Sequence, residues 1–251
     1  MNWVLNTIAY ADLVKNDNFG QLDMLQSIQE IGFKTVELRS EYFDGSDQEL
    51  RDLKTTSQVL GMQVFLSIPA ALFEAGKLNA KLDEFFALAQ AVGAVQLKIN
   101  LGAYDPASVA DDMLIVNEKI AQTGLSIVLE NDNTPETGSS DYFKGFLEKY
   151  ANDHVGMCFD VGNFLFFHED PVQAVQKVLP YIHYVHLKQV EEATRASLAG
   201  LSVGDVDITS ILKAIDVEIP VAVECQYLAS DVDEVAEQVK TDLRNIEASL
   251  D

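Results

Sequence analysis

The sequence is poor in basic residues and lacks long apolar runs. Its 251 residues contain 17 Lys and Arg against 40 Asp and Glu, which gives a net charge of −23. Such a chain repels phosphate backbones and anionic membrane surfaces on average, so we expect neither a nucleic-acid nor a membrane partner. No apolar run approaches the ~20 residues of a membrane span, and the start of the chain carries no secretory signal. Together these absences indicate a cytoplasmic protein.

Cysteines and linker-like segments are also scarce. The only two cysteines, Cys158 and Cys225, show no metal-binding or redox spacing, and we interpret them as buried, reduced thiols. No stretch rich in Pro, Gly and Ser divides the chain, and its composition does not shift along its length. With 48% hydrophobic residues, the chain can bury one large core. We therefore expect a single domain over residues 1–251.

Short apolar runs of strand character alternate along the chain with segments of helical period. The predicted strands lie near 4–9, 34–39, 62–67, 94–100, 125–131, 155–160, 182–188 and 219–225. The predicted helices lie near 21–31, 46–60, 79–92, 105–122, 139–151, 170–179, 207–215 and 230–249. Asp105-Pro106 and Asp170-Pro171 predict helix starts, with Asp as the N-cap. Eight such units in about 250 residues predict an α/β protein folded as a single closed (β/α)8 barrel.

A doubly wound open sheet is the competing architecture. Its first strand-to-helix turn should carry a glycine-rich phosphate-binding fingerprint. The corresponding residues here, Ala9 to Val14, include no glycine. The closed barrel is therefore favoured.

Four consecutive predicted strands end on a residue that can bind a metal. These residues are Glu130, Asp160, His186 and Glu224. Because parallel barrel strands end at the same rim, we expect the four side chains to meet there. Three carboxylates would repel one another without a compensating cation or protons. The set suits one divalent metal, with Mn²⁺ or Mg²⁺ favoured and Co²⁺ or Zn²⁺ also acceptable.

The alternation of apolar and polar residues places further charged groups inside the barrel. On the second strand Val36 and Leu38 face the helices, so Glu37 and Arg39 point inward. By the same alternation Lys98 and Lys188 also point inward. An interior with this many charges is too polar to serve only for packing.

These segments resemble the motifs of the xylose isomerase-like TIM barrels, which include sugar isomerases and epimerases, inosose dehydratase and endonuclease IV. The resemblance extends over essentially the whole chain. It is carried by Gly32-Phe-Lys-Thr-Val-Glu37-Leu38, Leu129-Glu130-Asn131, Phe159-Asp160-Val-Gly162-Asn163, His186-Leu-Lys188, Val223-Glu224 and Gly204-Asp-Val-Asp207-Ile208.

The resemblance implies that Glu130, Asp160, His186 and Glu224 are the metal ligands and that Glu130 and Glu224 form the acid/base pair. It also implies an isomerase or epimerase of a small sugar or sugar phosphate. Such an enzyme removes a carbon-bound proton, passes through a metal-stabilised enediolate and returns a proton elsewhere.

The substrate contacts match the family less well than the ligands do. Asn163 stands where many members have His, Gln189 where many have Asp, and Glu192 where the epimerases have Arg. The nearest arginine is Arg195. The candidate substrate-binding residues are Lys188, Asn163, Glu136, Lys98 and Arg39. For Lys98 and Arg39 the alternative is that they only offset the acidic lumen.

Three other functions stand beside the sugar isomerase. A dehydratase of a keto-polyol shares the first proton abstraction, and a non-catalytic sugar-binding barrel shares the fold. A trinuclear zinc nuclease like endonuclease IV needs several more histidines than the four in this chain. Barrels of this kind often pair through loops at the catalytic rim, so a homodimer is one assembly that this chain could form.

Overall fold

A computed structural model describes residues 1–15 and 19–250 of the chain. Eight parallel strands close into a barrel, which confirms the predicted TIM barrel. The strands are β1 (Asn2–Asn6), β2 (Thr35–Arg39), β3 (Gln63–Leu78), β4 (Gln96–Tyr104), β5 (Ser126–Glu130), β6 (Val155–Asp160), β7 (Ile182–Leu187) and β8 (Pro220–Val223). Each strand pairs with its neighbour in the chain, and β8 pairs with β1.

One main helix follows each strand. These helices are α1 (Gln21–Ile31), α2 (Asp47–Val59), α3 (Leu82–Ala91), α4 (Val109–Thr123), α5 (Ser140–Tyr150), α6 (Pro171–Val178), α7 (Ile208–Ala214) and α8 (Val232–Leu250). Short helical segments lie at Thr7–Tyr10, Ala11–Val14, Ser40–Tyr42, Pro135–Gly138, Asn163–Phe167 and Leu179–Tyr181. Within the described residues, no helix combines the length and the apolar character needed to cross a membrane.

Of the two predicted helix starts, one is confirmed and one is wrong. The Asp170 side chain accepts a hydrogen bond from the amide of Val172, with Pro171 as the first residue of α6. Asp105 instead accepts from the amide of Ala107 and closes a turn. Asp105 and Pro106 therefore belong to a turn that precedes the helix, and α4 begins only at Val109.

The lumen contains an apolar layer beneath the strand ends. Each of four inward residues in this layer stands two positions before a predicted metal ligand. These pairs are Val128 and Glu130, Cys158 and Asp160, Tyr184 and His186, and Ala222 and Glu224. Residues two positions apart on a strand point to the same face of the sheet. Because the apolar residue of each pair points into the lumen, the ligand candidate two positions later also points into the lumen.

Strands β3 and β4 run well beyond the ends predicted at residues 67 and 100. The amide of Asn79 donates to the carbonyl of Leu72 over 2.8 Å, so the chain doubles back near Ala75 and Gly76, whose φ angles are 49° and 81°. Phe73 packs against Tyr104 with ring centroids 5.9 Å apart. Apolar packing between residues distant in sequence thus extends both strands.

The long gap between His186 and Glu224 holds an element that the sequence did not reveal. Val190–Glu191 and Ala196–Ser197 pair as a two-stranded antiparallel sheet just after β7. This hairpin and the loop that follows it rise beside the ends of β7 and β8. They form one wall of the site described below.

We expect Gly102→Ala to lower the free energy of unfolding by at least about 2 kcal/mol, because left-handed backbone costs other residues roughly 1–2 kcal/mol and the new methyl adds a clash. Gly102 has a φ of 71°, and a Cβ there would overlap the carbonyl oxygen of Phe73. Urea denaturation measures the change. As a control, Gly145→Ala in α5 meets open space and should stabilise the protein by roughly 0.5–1 kcal/mol. Equal stability of both variants would contradict this account of the β3–β4 extension.

Candidate metal centre and active site

The structure brings the four residues at the ends of β5 to β8 together. Glu130, Asp160, His186 and Glu224 are all buried, and each offers a ligand atom within 4.8 Å of those of the other three. The parallel register explains the meeting, since Glu130 pairs with Cys158 and Asp160 pairs with His186 across adjacent strands. The geometry of a closed barrel thus converts four positions in sequence into one compact set of three oxygens and one nitrogen.

His186 lies at the centre of this set. Its Nδ1 atom is 2.7 Å from Oε1 of Glu130 and 3.2 Å from Oε2 of Glu224. Its Nε2 atom points the other way and lies 2.9 Å from Oε2 of Glu37. Nδ1 is therefore the nitrogen that faces the carboxylates of Glu130 and Glu224.

Each of the three carboxylates also has a basic neighbour. The pairs are Lys98 Nζ with Glu130 Oε2 at 2.7 Å, Lys188 Nζ with Asp160 Oδ2 at 2.7 Å, and Arg39 Nη1 with Glu224 Oε1 at 3.1 Å. The mutual repulsion of the carboxylates is thus already offset by three cations. Charge alone does not require a metal here, so the case for one depends on the type and arrangement of the donor atoms.

The three carboxyl groups differ in acidity. Burial raises the pKa of Glu130, but the charge of Lys98 and the hydrogen bond from His186 outweigh it and lower that pKa to about 2. For Glu224, burial is likewise outweighed by His186, Lys188 and Arg39, which hold its pKa well below the usual value. For Asp160 burial prevails over Lys188 and raises the pKa to about 6. Both glutamates are therefore ionised at neutral pH.

Asp160 is held by the turn that follows β6. Its Oδ1 atom accepts hydrogen bonds from the amides of Gly162 and Asn163 at 2.9 and 3.0 Å. Asn131 fixes the same strand end from β5, since its amide group bonds both the backbone nitrogen and the carbonyl of Asp160. Oδ1 is thus held by the backbone of the turn, and Oδ2 is the oxygen that faces Lys188.

The donor set fits a divalent metal. Oδ2 of Asp160 is fully buried, and although it lies 2.7 Å from Nζ of Lys188, it has no partner with the geometry of a hydrogen bond. Buried polar atoms normally have such a partner, and an exception calls for a ligand or a strained role. Three carboxylate oxygens and one imidazole nitrogen suit Mn²⁺, Mg²⁺, Co²⁺ or Zn²⁺.

A pocket of about 450 Å³ opens beside Glu224. Arg39, Lys188 and Glu224 line it from the strand ends, and Ser197 and Leu198 line it from the hairpin wall. This volume lies in the range of small-molecule sites. Charged groups on one side and a loop on the other give it room for a small polar compound next to Glu224, the donor that lines it.

The wall of the pocket is fixed by two buried side chains that the sequence did not assign to the site. The amide group of Gln189 bonds the carbonyls of Leu201 and Val206 and the amide of Val206. Asp242 on α8 accepts from the amide of Leu201 at 2.7 Å and also from the hydroxyl of Tyr227. These bonds hold residues 198–206 between the end of β7 and α8.

The other predicted substrate residues are placed unequally. Lys98 is buried in its pair with Glu130, and it is not among the residues that line the pocket. Asn163 is engaged on both sides, accepting from Lys188 at 2.8 Å and donating to the carbonyl of Asn131 at 2.7 Å. Glu136 is exposed on the short helix Pro135–Gly138, and within the described residues it forms no hydrogen bond or ion pair to the site. Its contact with substrate stays a prediction.

Arg195 does not take the place of the epimerase arginine. Its side chain is exposed, and Nη2 lies 3.2 Å from Nε2 of His168, which in turn contacts Glu192. Arg39, at the end of β2, is an arginine that lines the pocket. It binds Glu224 through Nη1 and Glu41 through Nε.

Comparison with known proteins agrees with the fold and the motifs. The model of the xylose isomerase-like TIM barrel family matches residues 25–247, so the chain belongs to that family, as the motifs indicated. No curated protein matches the sequence.

Three solved structures show the same fold at low identity. A zinc-bound IOLI protein is 16% identical with a TM-score of 0.78, covering 100% of this chain and 99% of that one. An L-ribulose 3-epimerase is 18% identical with a TM-score of 0.73, covering 98% and 93%. The probable 3-DHS dehydratase AsbF of Bacillus anthracis is 15% identical with a TM-score of 0.73, covering 98% and 99%.

We expect Lys98→Met to destabilise the metal-free protein by about 3 kcal/mol, because it leaves the Glu130 carboxylate buried without its cation. The double variant Lys98→Met/Glu130→Gln removes that unpaired charge and should recover most of the loss. Urea denaturation in the presence of a chelator measures both. A single variant as stable as the wild type would show that the pair does not balance the site.

Proposed function

We propose that the protein is a divalent-metal-dependent isomerase or epimerase of a small sugar or sugar phosphate. The observation that carries this proposal is the convergence of three carboxylates and one imidazole within 4.8 Å, next to a pocket of about 450 Å³. Membership of the xylose isomerase-like family and the fold shared with an L-ribulose 3-epimerase support it.

The ion would be held by Glu130, Asp160, Glu224 and Nδ1 of His186, with Mn²⁺ favoured among the divalent metals. When bound there, it would polarise carbonyl and hydroxyl oxygens of a substrate and so acidify the neighbouring C–H group. The protein's own part is to present the ligands and the groups that move protons.

Glu130 and Glu224 are suited to move those protons. Their depressed pKa values leave both as carboxylates at neutral pH, and a carboxylate is the form needed to accept a proton from carbon. They approach His186 from β5 and from the end of β8. One glutamate can therefore accept a proton from the carbon next to a carbonyl, and the other can return a proton to the substrate after taking one up from a substrate hydroxyl or from water.

Two basic residues assist this pair. Lys188 lines the pocket beside Asp160, where its ammonium group can stabilise negative charge that develops on a substrate oxygen. Arg39 holds Oε1 of Glu224 at 3.1 Å and is itself anchored by Glu41. It therefore orients the carboxylate of Glu224 toward the pocket.

Glu224→Gln tests the catalytic role directly. The amide cannot accept a proton, so we expect kcat/KM to fall by roughly 10²–10⁴-fold. The assay screens tetroses, pentoses, hexoses and their phosphates with added Mn²⁺, and mass spectrometry follows the products. Glu247→Gln is the control, since it removes an equal charge from an exposed residue that bonds Trp3 at the start of β1.

The products decide between the alternatives. A product of unchanged mass supports the isomerase or epimerase, and a product lighter by one water assigns a dehydratase instead. Binding of sugars without conversion would identify a sugar-binding barrel. Full turnover by Glu224→Gln, or by protein stripped of metal, would contradict the proposed mechanism.

Metal binding should also appear in the stability of the protein. At a free concentration of about 100 times its Kd, an ion that binds only the folded state adds about 2.7 kcal/mol, which raises Tm by roughly 5–10 °C for a chain of this size. Thermal melts with Mn²⁺, Mg²⁺, Co²⁺ and Zn²⁺ against a chelated sample measure the shift. No shift with any of the four would mean that the site does not hold a divalent metal.

A further inference from the structure

Glu37 is a buried carboxylate that the proposed reaction does not use. It lies on β2 in the lumen with no exposed surface. Its Oε2 atom accepts hydrogen bonds from Nδ2 of Asn6 at 2.7 Å and from the hydroxyl of Tyr184 at 2.9 Å. Within residues 1–15 and 19–250, no lysine or arginine forms an ion pair with it. A charge in such a place is costly unless another group uses it.

The group that faces this charge is the imidazole of His186. Nε2 of His186 lies 2.9 Å from Oε2 of Glu37, but its N–H direction does not meet that oxygen as a hydrogen bond. The other oxygen of Glu37, Oε1, is buried and has no partner. Nε2 of His186 is thus a donor without an acceptor, and Oε1 of Glu37 is an acceptor without a donor. The two side chains are in contact, and a small rotation of the carboxylate would form a hydrogen bond between them.

We propose that Glu37 positions His186 for the metal by accepting a hydrogen bond from the N–H group at Nε2. A neutral imidazole carries one N–H, so a proton held on Nε2 leaves the lone pair of Nδ1 free to bind an ion. Nδ1 is also the atom that faces Glu130 and Glu224. This inference rests on the proposed metal centre, and it adds a residue outside the four ligands.

The surroundings of Glu37 fit this role. Asn6 and Tyr184 hold the carboxylate through neutral donors, so its negative charge remains available to the imidazole. The ring of Tyr184 also packs edge-on against His186, with centroids 4.9 Å apart and planes at 77°. The ring plane is thus fixed by Tyr184 and the proton position by Glu37. A carboxylate behind a metal-binding histidine strengthens the ligand and fixes its orientation.

The test compares Glu37→Gln with Glu247→Gln. Both variants lose one negative charge, but Glu247 is exposed on α8, where it bonds Trp3 and contacts neither His186 nor Arg39. Isothermal titration with Co²⁺ alone should show roughly 10–100-fold weaker binding for Glu37→Gln and unchanged binding for Glu247→Gln. The visible absorption of bound Co²⁺ should change only in Glu37→Gln, which a general loss of stability would not produce.

The outcomes are distinct. No Co²⁺ binding by the wild type would overturn the proposed metal centre, and this inference with it. Wild-type binding with equal affinity and an equal spectrum in Glu37→Gln would overturn only the role of Glu37. Equal weakening in both variants would overturn it too, because the effect would then be one of overall charge.

A measurement on the wild type keeps the inference testable if Glu37→Gln does not fold. In Zn²⁺-loaded protein with ¹⁵N-labelled histidine, NMR should place a slowly exchanging proton on Nε2 of His186. A proton on Nδ1, or an Nε2 proton in fast exchange with water, would overturn the proposal.

Discussion

The ion pairs between buried acids and bases at the mouth of the barrel are the interaction on which the site depends. Glu130, Asp160 and Glu224 could not stay ionised together in a buried place without Lys98, Lys188 and Arg39 beside them. Each base comes from a different strand from its acid, so the pairs also hold the strand ends to one another. The three carboxylates are thus arranged by contacts within the protein itself. An ion entering such a site would meet side chains whose orientation is already set, which reduces the entropy lost on binding.

Closure of the sheet gives this arrangement its precision. The apolar layer of Val128, Cys158, Tyr184 and Ala222 fills the lumen directly below the four donor residues, which stand two positions further along the same strands. A shift of one residue in any of these strands would turn its ligand toward the helices. Hydrophobic packing below and electrostatic pairing above therefore specify the same register.

Much of this could be predicted from the sequence, and the parts that could not share one cause. The order of strands and helices follows from hydrophobic periodicity, and the meeting of Glu130, Asp160, His186 and Glu224 follows from where strands end. The partner of each acid does not, because Arg39 and Glu224 are 185 residues apart and the stagger of the closed barrel decides which lumen side chains meet. For the same reason alternation places Glu37 inside without revealing that it faces His186. The extension of β3 and β4 does not follow from local sequence, because it is stabilised by contacts between residues far apart in the chain, such as that of Phe73 with Tyr104.

The loop of residues 198–206 is fixed at its own two anchors, Gln189 and Asp242, and neither anchor is one of the four donors. The wall of the pocket is therefore held by contacts that do not include the four donors. Substitutions between Leu198 and Val206 can change the shape of the pocket while the arrangement of carboxylates and imidazole stays intact. The pocket wall and the donor cluster are in this sense two modules of one barrel, and a change in the first need not alter the second.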